Sequence, residues 1–176
     1  MKKILLASLL LVFGTALLAQ ESEAGKVLFK LPKVTVTDMK GAKVTTDKIF
    51  NDGKPVIISF WATWCKPCVK ELTTIADVYD EWQEETGVKL YAVSIDDSRS
   101  SAQVKTLVSG KGWTYEVLID QNSEFKRAMN VNAVPHTFVV NGKGEIVWQH
   151  TSFSEGAELD LIEVVRKVNA GEPLNH

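Results

Sequence analysis

The 176-residue chain carries two cysteines, Cys65 and Cys68, and their spacing is its strongest chemical signal. They lie in Trp61-Ala62-Thr63-Trp64-Cys65-Lys66-Pro67-Cys68, which leaves an apolar run and enters a segment of helical periodicity. Cysteines three apart in a helix's first turn share one face and come close enough to form a disulfide. In that position Cys65 faces unpaired backbone N–H groups and the positive end of the helix dipole, which stabilise a thiolate. Lys66 adds a positive charge, and Pro67 fits because a first-turn N–H has no partner to lose. A thiol of pKa about 8.5 is only about 3% ionised at pH 7, whereas one of pKa near 7 is about half ionised. Such a pair offers dithiol–disulfide exchange. One thiolate attacks a substrate disulfide and the second resolves the mixed intermediate, without organic cofactor or metal.

Two blander readings stand beside this one. A purely stabilising disulfide would gain little, because so short a loop removes little chain entropy. Half of a zinc site would need two more ligands. His136, His150 and His176 are the typical partners left, and they lack metal-site spacing.

The elements that must position the pair can be read from periodicity. Val56 to Trp61 is a nearly continuous apolar run, as expected of a central strand covered on both faces. A helix is expected from Cys65 to Thr86, with Leu72, Ile75, Ala76, Tyr79 and Trp82 as its apolar stripe and Gly87 ending it. Lys89 to Ile95 is a second buried strand, which completes a right-handed βαβ unit. Before this unit, Val34 to Thr37 and Val44 to Ile49 read as two strands. After it come a helix from Ser100 to Ser109 and a strand from Glu116 to Ile119. A short helix from Ser123 to Met129 follows, with Ser123 as N-cap. Thr137 to Val140 and Glu145 to His150 form a hairpin. Gly156 to Ala170 closes the chain as an amphipathic helix with Leu159, Ile162, Val165 and Val168 inward. The predicted fold class is α/β: one domain with a mixed central sheet and helices on both faces.

Composition bounds the remaining classes. The chain is 45% hydrophobic and 24% charged, with a formal net charge of −2. That suits one globular domain and excludes a nucleic-acid binder driven by a basic surface. Lys2 and Lys3 followed by the uncharged run Ile4 to Ala19 read as a secretory signal peptide over residues 1–19. Leu17-Leu18-Ala19 before Gln20 supplies the cleavage site. As a helix the run spans about 24 Å, short of the roughly 30 Å hydrocarbon core, so an uncleaved membrane anchor is the alternative. Residues 20–33 read as a linker and 34–172 as the domain. Export implies a periplasmic location, where a disulfide can persist.

Trp-Cys-x-Pro-Cys after a buried strand, with Val134-Pro135 before a later strand, resembles the thioredoxin superfamily. The stretch from Phe60 to Cys68, the export signal and the extra segment from Asp96 to Ile119 narrow the resemblance. It is to the TlpA/ResA-type exported thiol-disulfide oxidoreductases, over about residues 30 to 170. The resemblance implies a thioredoxin-like fold with an N-terminal strand extension and a βα-type insertion. It makes Cys65 the nucleophile and Cys68 the more buried resolving thiol. Pro135 becomes the cis-proline against the active site, Val134 the residue whose backbone pairs with a client peptide, and Glu71 a carboxylate that assists proton transfer. Trp64, Lys66, Pro67 and His136 complete the expected client-binding set. Trp61, Trp82, Trp113 and Trp148 are expected to pack in or near the core. The partners implied are disulfide-containing proteins, apocytochrome c among them, and a membrane thiol-disulfide electron donor, with the protein acting as a monomer.

Three positions depart from the family's pattern. Ser59 stands where thioredoxin has an aspartate, which shifts the proton relay toward Glu71 or water. Thr73 stands where many members have proline, so less of a helix kink is expected. His136 follows the cis-proline, where threonine or serine is common. Two other functions compete. A peroxiredoxin needs Pro-x-x-x-Thr/Ser-x-x-Cys, and Ile58 and Ala62 occupy those places. A copper-delivery protein of Sco type spaces its cysteines one residue wider and adds a histidine.

Overall fold

The structure is a computed structural model and describes residues 26–49 and 51–174. The export segment, residues 1–19, lies outside the described residues, as does the start of the linker.

Eight strands among the described residues form one mixed sheet. In chain order they are β1 (Phe29–Lys30), β2 (Thr35–Asp38), β3 (Lys43–Thr45), β4 (Val56–Trp61), β5 (Lys89–Ser94), β6 (Glu116–Ile119), β7 (His136–Val140) and β8 (Glu145–Thr151). Their order across the sheet is β1-β8-β7-β4-β5-β6-β2-β3. β4, β5 and β6 run parallel; β7 is antiparallel to β4, and Ser59 pairs with Thr137. All six residues of β4 are buried, which is what its unbroken apolar run requires of a strand covered on both sides. β1 falls inside the stretch read as linker and adds an antiparallel edge strand to β8.

Alternation along β4 divides the core in two. Ile57 and Trp61 pack with Leu72, Ile75, Trp82, Val104 and Ile162, beneath four helices: α1 (Lys66–Ala76), α2 (Tyr79–Thr86), α3 (Ser101–Lys111) and α5 (Ala157–Ala170). Ile58 and Phe60 pack on the other face with Phe125, Met129 and Phe138, covered by α4 (Glu124–Ala128). Each large side chain fully buried this way contributes about 1.5–3 kcal/mol.

Four local expectations are corrected. The single helix from Cys65 to Thr86 is two, broken at Asp77 and Val78. Val78 takes φ −124°, outside helical geometry, and Thr73 Oγ1 donates to the Val69 carbonyl at 2.7 Å, a back-bond that bends helices. The smaller kink expected from Thr73 is thus replaced by a full break. Gly87 does end α2, at φ 70°, a conformation glycine adopts without strain. The strand expected to run to Ile49 stops at Thr45, because Thr46 turns inward into a 3₁₀ turn and its Oγ1 accepts from Val34 N–H at 2.9 Å. Ser123 occupies the N-cap position of α4 but makes no cap bond. Asp120 replaces it, accepting from Phe125 and Lys126 N–H at 3.1 and 2.7 Å. Leu159, placed in the inward stripe of α5, is 67% exposed, and Leu161 takes its place beside Ile162 and Val165.

Candidate active site

The site is built where β4 ends. Trp61 closes the strand, Cys65 N–H bonds the Ala62 carbonyl in a tight turn, and α1 begins at Lys66. Cys65 is the N-cap of α1, and its Sγ accepts the Cys68 N–H at 3.3 Å. One of the helix's orphan donors therefore points at this sulphur. No acidic residue lies in the first turn, so nothing there opposes the dipole. Cys65 and Cys68 are joined as a disulfide with their Cα atoms 5.3 Å apart. Lys66 and Pro67 are exposed on the rim, and Trp64 stands 65% exposed beside the cysteines.

Long-range contacts hold this corner together. The Val134–Pro135 peptide bond is cis, as the resemblance implies, and the Val134 carbonyl oxygen lies 3.7 Å from Cys65 Sγ. Val134 is half-buried and Pro135 buried, so the segment presents backbone rather than a bulky side chain to the cysteines. On the other side Asp96, fully buried, accepts from Thr63 N–H at 2.9 Å, Thr63 Oγ1 at 2.6 Å and Ser94 Oγ at 2.8 Å. Asp96, in the sequence only the start of the extra segment from Asp96 to Ile119, was not among the expected site residues. An acid two residues after a serine at the end of a buried strand was the available signal.

Glu71 is buried, three residues beyond Cys68 on α1. Burial pushes its carboxyl up from 4.5 to about 7, although a hydrogen bond from Thr137 pulls the other way. Thr137 Oγ1 lies 2.8 Å from Glu71 Oε1 and 3.0 Å from Ser59 Oγ. A hydroxyl has one proton. With Glu71 ionised, Thr137 donates to it and accepts from Ser59, which forms a directed chain. Thr137 was also missed. It and Ser59 are paired polar residues in two otherwise apolar buried strands, and both face α1.

His136 is corrected. It is buried, stacked on Phe138 with centroids 4.2 Å apart, and its Nε2 lies 3.1 Å from Gln149 Oε1. Burial pushes its acid down, with the Gln149 bond opposing. Alternation along β7 places it on the face opposite Thr137 and Glu71, away from the client surface expected for it. Trp61 and Trp113 are buried as expected, edge-to-face at 5.2 Å.

Residues 27–149 match the AhpC/TSA family. The chain belongs to this family. A ResA thiol-disulfide oxidoreductase of Bacillus thuringiensis (strain Al Hakam) is 32% identical over 118 residues, 67% of this chain and 65% of the relative. The match thus spans just under two-thirds of that relative's length. A second ResA, from Bacillus thuringiensis subsp. konkukian (strain 97-27), is 32% identical over 149 residues, 85% of this chain and 80% of the relative. The solution structure of a thioredoxin-like protein from Porphyromonas gingivalis is 51% identical. It superposes with a TM-score of 0.72, covering 83% of this chain and 95% of that one. The fold is therefore thioredoxin-like. Both ResA relatives carry the thiol-disulfide oxidoreductase name, and Ala62, without a hydroxyl three residues before Cys65, keeps the chain apart from the peroxide-reducing pattern.

Proposed function

We propose that the protein is a thiol-disulfide oxidoreductase that reduces disulfides of exported proteins, with Cys65 as attacking thiol and Cys68 as resolving thiol. The observation that carries this is Cys65 Sγ at the N-terminus of α1, accepting the Cys68 N–H beside the Val134 carbonyl. In the reduced protein that N–H and the helix dipole stabilise the Cys65 thiolate. The thiolate attacks a client disulfide held along Val134, one client sulphur leaves as thiolate, and a mixed disulfide remains. Cys68 then attacks Cys65 Sγ, which releases the second client thiol and re-forms the pair. Glu71 takes the Cys68 proton, because a carboxyl poised near 7 accepts it at neutral pH and can give it up again. Exposed Trp64 supplies an apolar face for the client.

The reducing direction rests on the resemblance to TlpA/ResA-type reductases and needs an electron donor in the membrane. Lys66 and the helix terminus favour the thiolate, which makes the pair more oxidising; about 30 mV corresponds to about 1.4 kcal/mol for this couple. Apocytochrome c is one candidate client. Export through residues 1–19 and action as a monomer belong to the same proposal. Alkylation of thiols in intact cells tests the direction. The reductase reading expects Cys65 and Cys68 free while the donor pathway is intact; a steady-state disulfide under those conditions replaces it with an oxidase.

A further inference from the structure

Behind Glu71 the fold leaves a small cavity of about 10 Å³, the size that holds about one water molecule. Glu71 and Thr137 line its inner end, and Trp148, His150, Phe153 and Glu158 line the rest. Neither Cys65, Cys68, Trp64 nor Val134 borders it. Of the three buried carboxylate oxygens without a hydrogen-bond partner among the described residues, two, Glu71 Oε2 and Glu158 Oε2, belong to residues that border this one cavity; the third, Asp47 Oδ1, lies elsewhere. An unpartnered buried carboxylate oxygen is costly, and these two share a cavity with room for about one water molecule. His150 and Ser152 at the outer end are exposed, so the cavity leads toward solvent between β8 and α5.

The wall over this cavity is tied down. Ser152 N–H bonds the Pro135 carbonyl at 3.0 Å, and Glu155 pairs with Lys70 of α1. The segment from Phe153 into the first turn of α5, which carries Glu158, is thereby fastened both to the cis-proline segment and to the helix that bears Glu71.

We propose that Glu71 exchanges its proton with solvent through this rear cavity, with Glu158 as the outer proton carrier. This rests on the disulfide-exchange reading above, in which Glu71 takes the Cys68 proton. A client docked over Trp64, Cys65 and Val134 covers the front of the site, so the front route to water is closed when the proton must leave. The step balances without a further reactant. The Cys68 thiol passes its proton to the Glu71 carboxylate, and the Cys68 thiolate attacks the mixed disulfide. Glu71 then yields the proton through one bridging water to Glu158 and to bulk water. The departing client thiolate draws its own proton from bulk. The ionisable groups around Glu71 are Cys68 on its own helix, Tyr115 ahead of β6, and His150 and Glu158 across the cavity. Tyr115 is spoken for, donating to the Leu72 carbonyl at 3.0 Å.

The test follows the resolving step by stopped flow in the full chain, with the mixed disulfide on Cys65 generated in the flow cell by mixing reduced protein with excess peptide disulfide, in Glu158→Gln, Glu158→Ala and Glu71→Gln. Glu158→Gln is expected to slow resolution about tenfold, less than loss of a direct general base, and to raise the solvent deuterium isotope effect. Glu158→Ala opens the cavity, and added formate should restore its rate in proportion to concentration. If Glu71→Gln slows resolution while both Glu158 variants keep the wild-type rate and isotope effect, the rear route is overturned and the role of Glu71 stands. If Glu71→Gln itself leaves the rate unchanged, the relay reading fails and this inference fails with it.

Discussion

Replacing Glu71 by glutamine should stabilise the protein selectively at high pH. Glu71 is 7% exposed, and burial raises its carboxyl pKa from 4.5 to about 7 against the opposing Thr137 hydrogen bond. An acid whose folded pKa exceeds its unfolded pKa binds more protons in the native state over the interval between them. Stability from this group is thus lost as pH rises from 4.5 to about 7, and no more is lost above. At about 1.4 kcal/mol per pKa unit, the ionised carboxylate costs the fold about 3 kcal/mol at pH 8. Glutamine keeps an oxygen for Thr137 and has no charge to desolvate. Whatever its amide N–H groups cost is the same at every pH and cancels when the difference between variant and wild type is compared across pH. Urea unfolding of the oxidised proteins between pH 4.5 and 8 measures this. The stability difference should move in favour of Glu71→Gln by about 3 kcal/mol over that interval. Parallel curves would refute a buried carboxyl titrating near neutrality, and with it the proton-transfer role.

Thr137→Val removes the one bond that holds the Glu71 acid down, so the midpoint of the pH–rate profile for resolution should move to higher pH; an unmoved midpoint removes Thr137 from the relay. Asp96→Ala leaves the Thr63 N–H, the Thr63 hydroxyl and the Ser94 hydroxyl without their acceptor and should cost about 2–4 kcal/mol in urea unfolding. A cost under about 0.5 kcal/mol would mean that Asp96 does not anchor the loop before Cys65. Leu159→Ser, at an exposed position, should change stability by less than about 0.5 kcal/mol, whereas Ile162→Ala should cost about 2–5 kcal/mol. Equal costs would return Leu159 to the inward stripe.

The central elements were legible because their signals were local and strong. β4 declared itself by an unbroken apolar run, and the cysteine pair by spacing, proline and a following helical stripe. Glu116–Ile119 was legible as a short apolar run, and the β7–β8 hairpin from Asn141-Gly142-Lys143-Gly144 between its two strands. What the sequence concealed was set by tertiary contacts. The break at Val78 joins two segments whose apolar spacings continue across it, so periodicity alone reads one helix. Leu159 and Leu161 are both leucines near the start of α5, and only the docking angle of the helix decides which is buried. In the site, Cys65, Cys68 and Glu71 share one helix and could be grouped by spacing. Thr137, on β7, and Asp96, in the loop after β5, lie 66 and 33 residues away from the groups they bind, a pairing no local pattern carries. His136 looked like a client contact because it follows the cis-proline. Strand alternation turns it to the opposite face of the sheet.

The assignment of Cys65 as the attacking sulphur is the claim on which the rest depends, since only Cys65 sits at the N-cap and receives the Cys68 N–H. Intact-mass spectrometry of reduced Cys65→Ser and Cys68→Ser, each mixed with oxidised glutathione at pH 7, measures it directly. Cys68→Ser should rapidly gain a single glutathione adduct, while Cys65→Ser, left with a fully buried thiol, should gain essentially none. Rapid adduct formation on Cys65→Ser, with Cys68→Ser unreactive, would contradict the account.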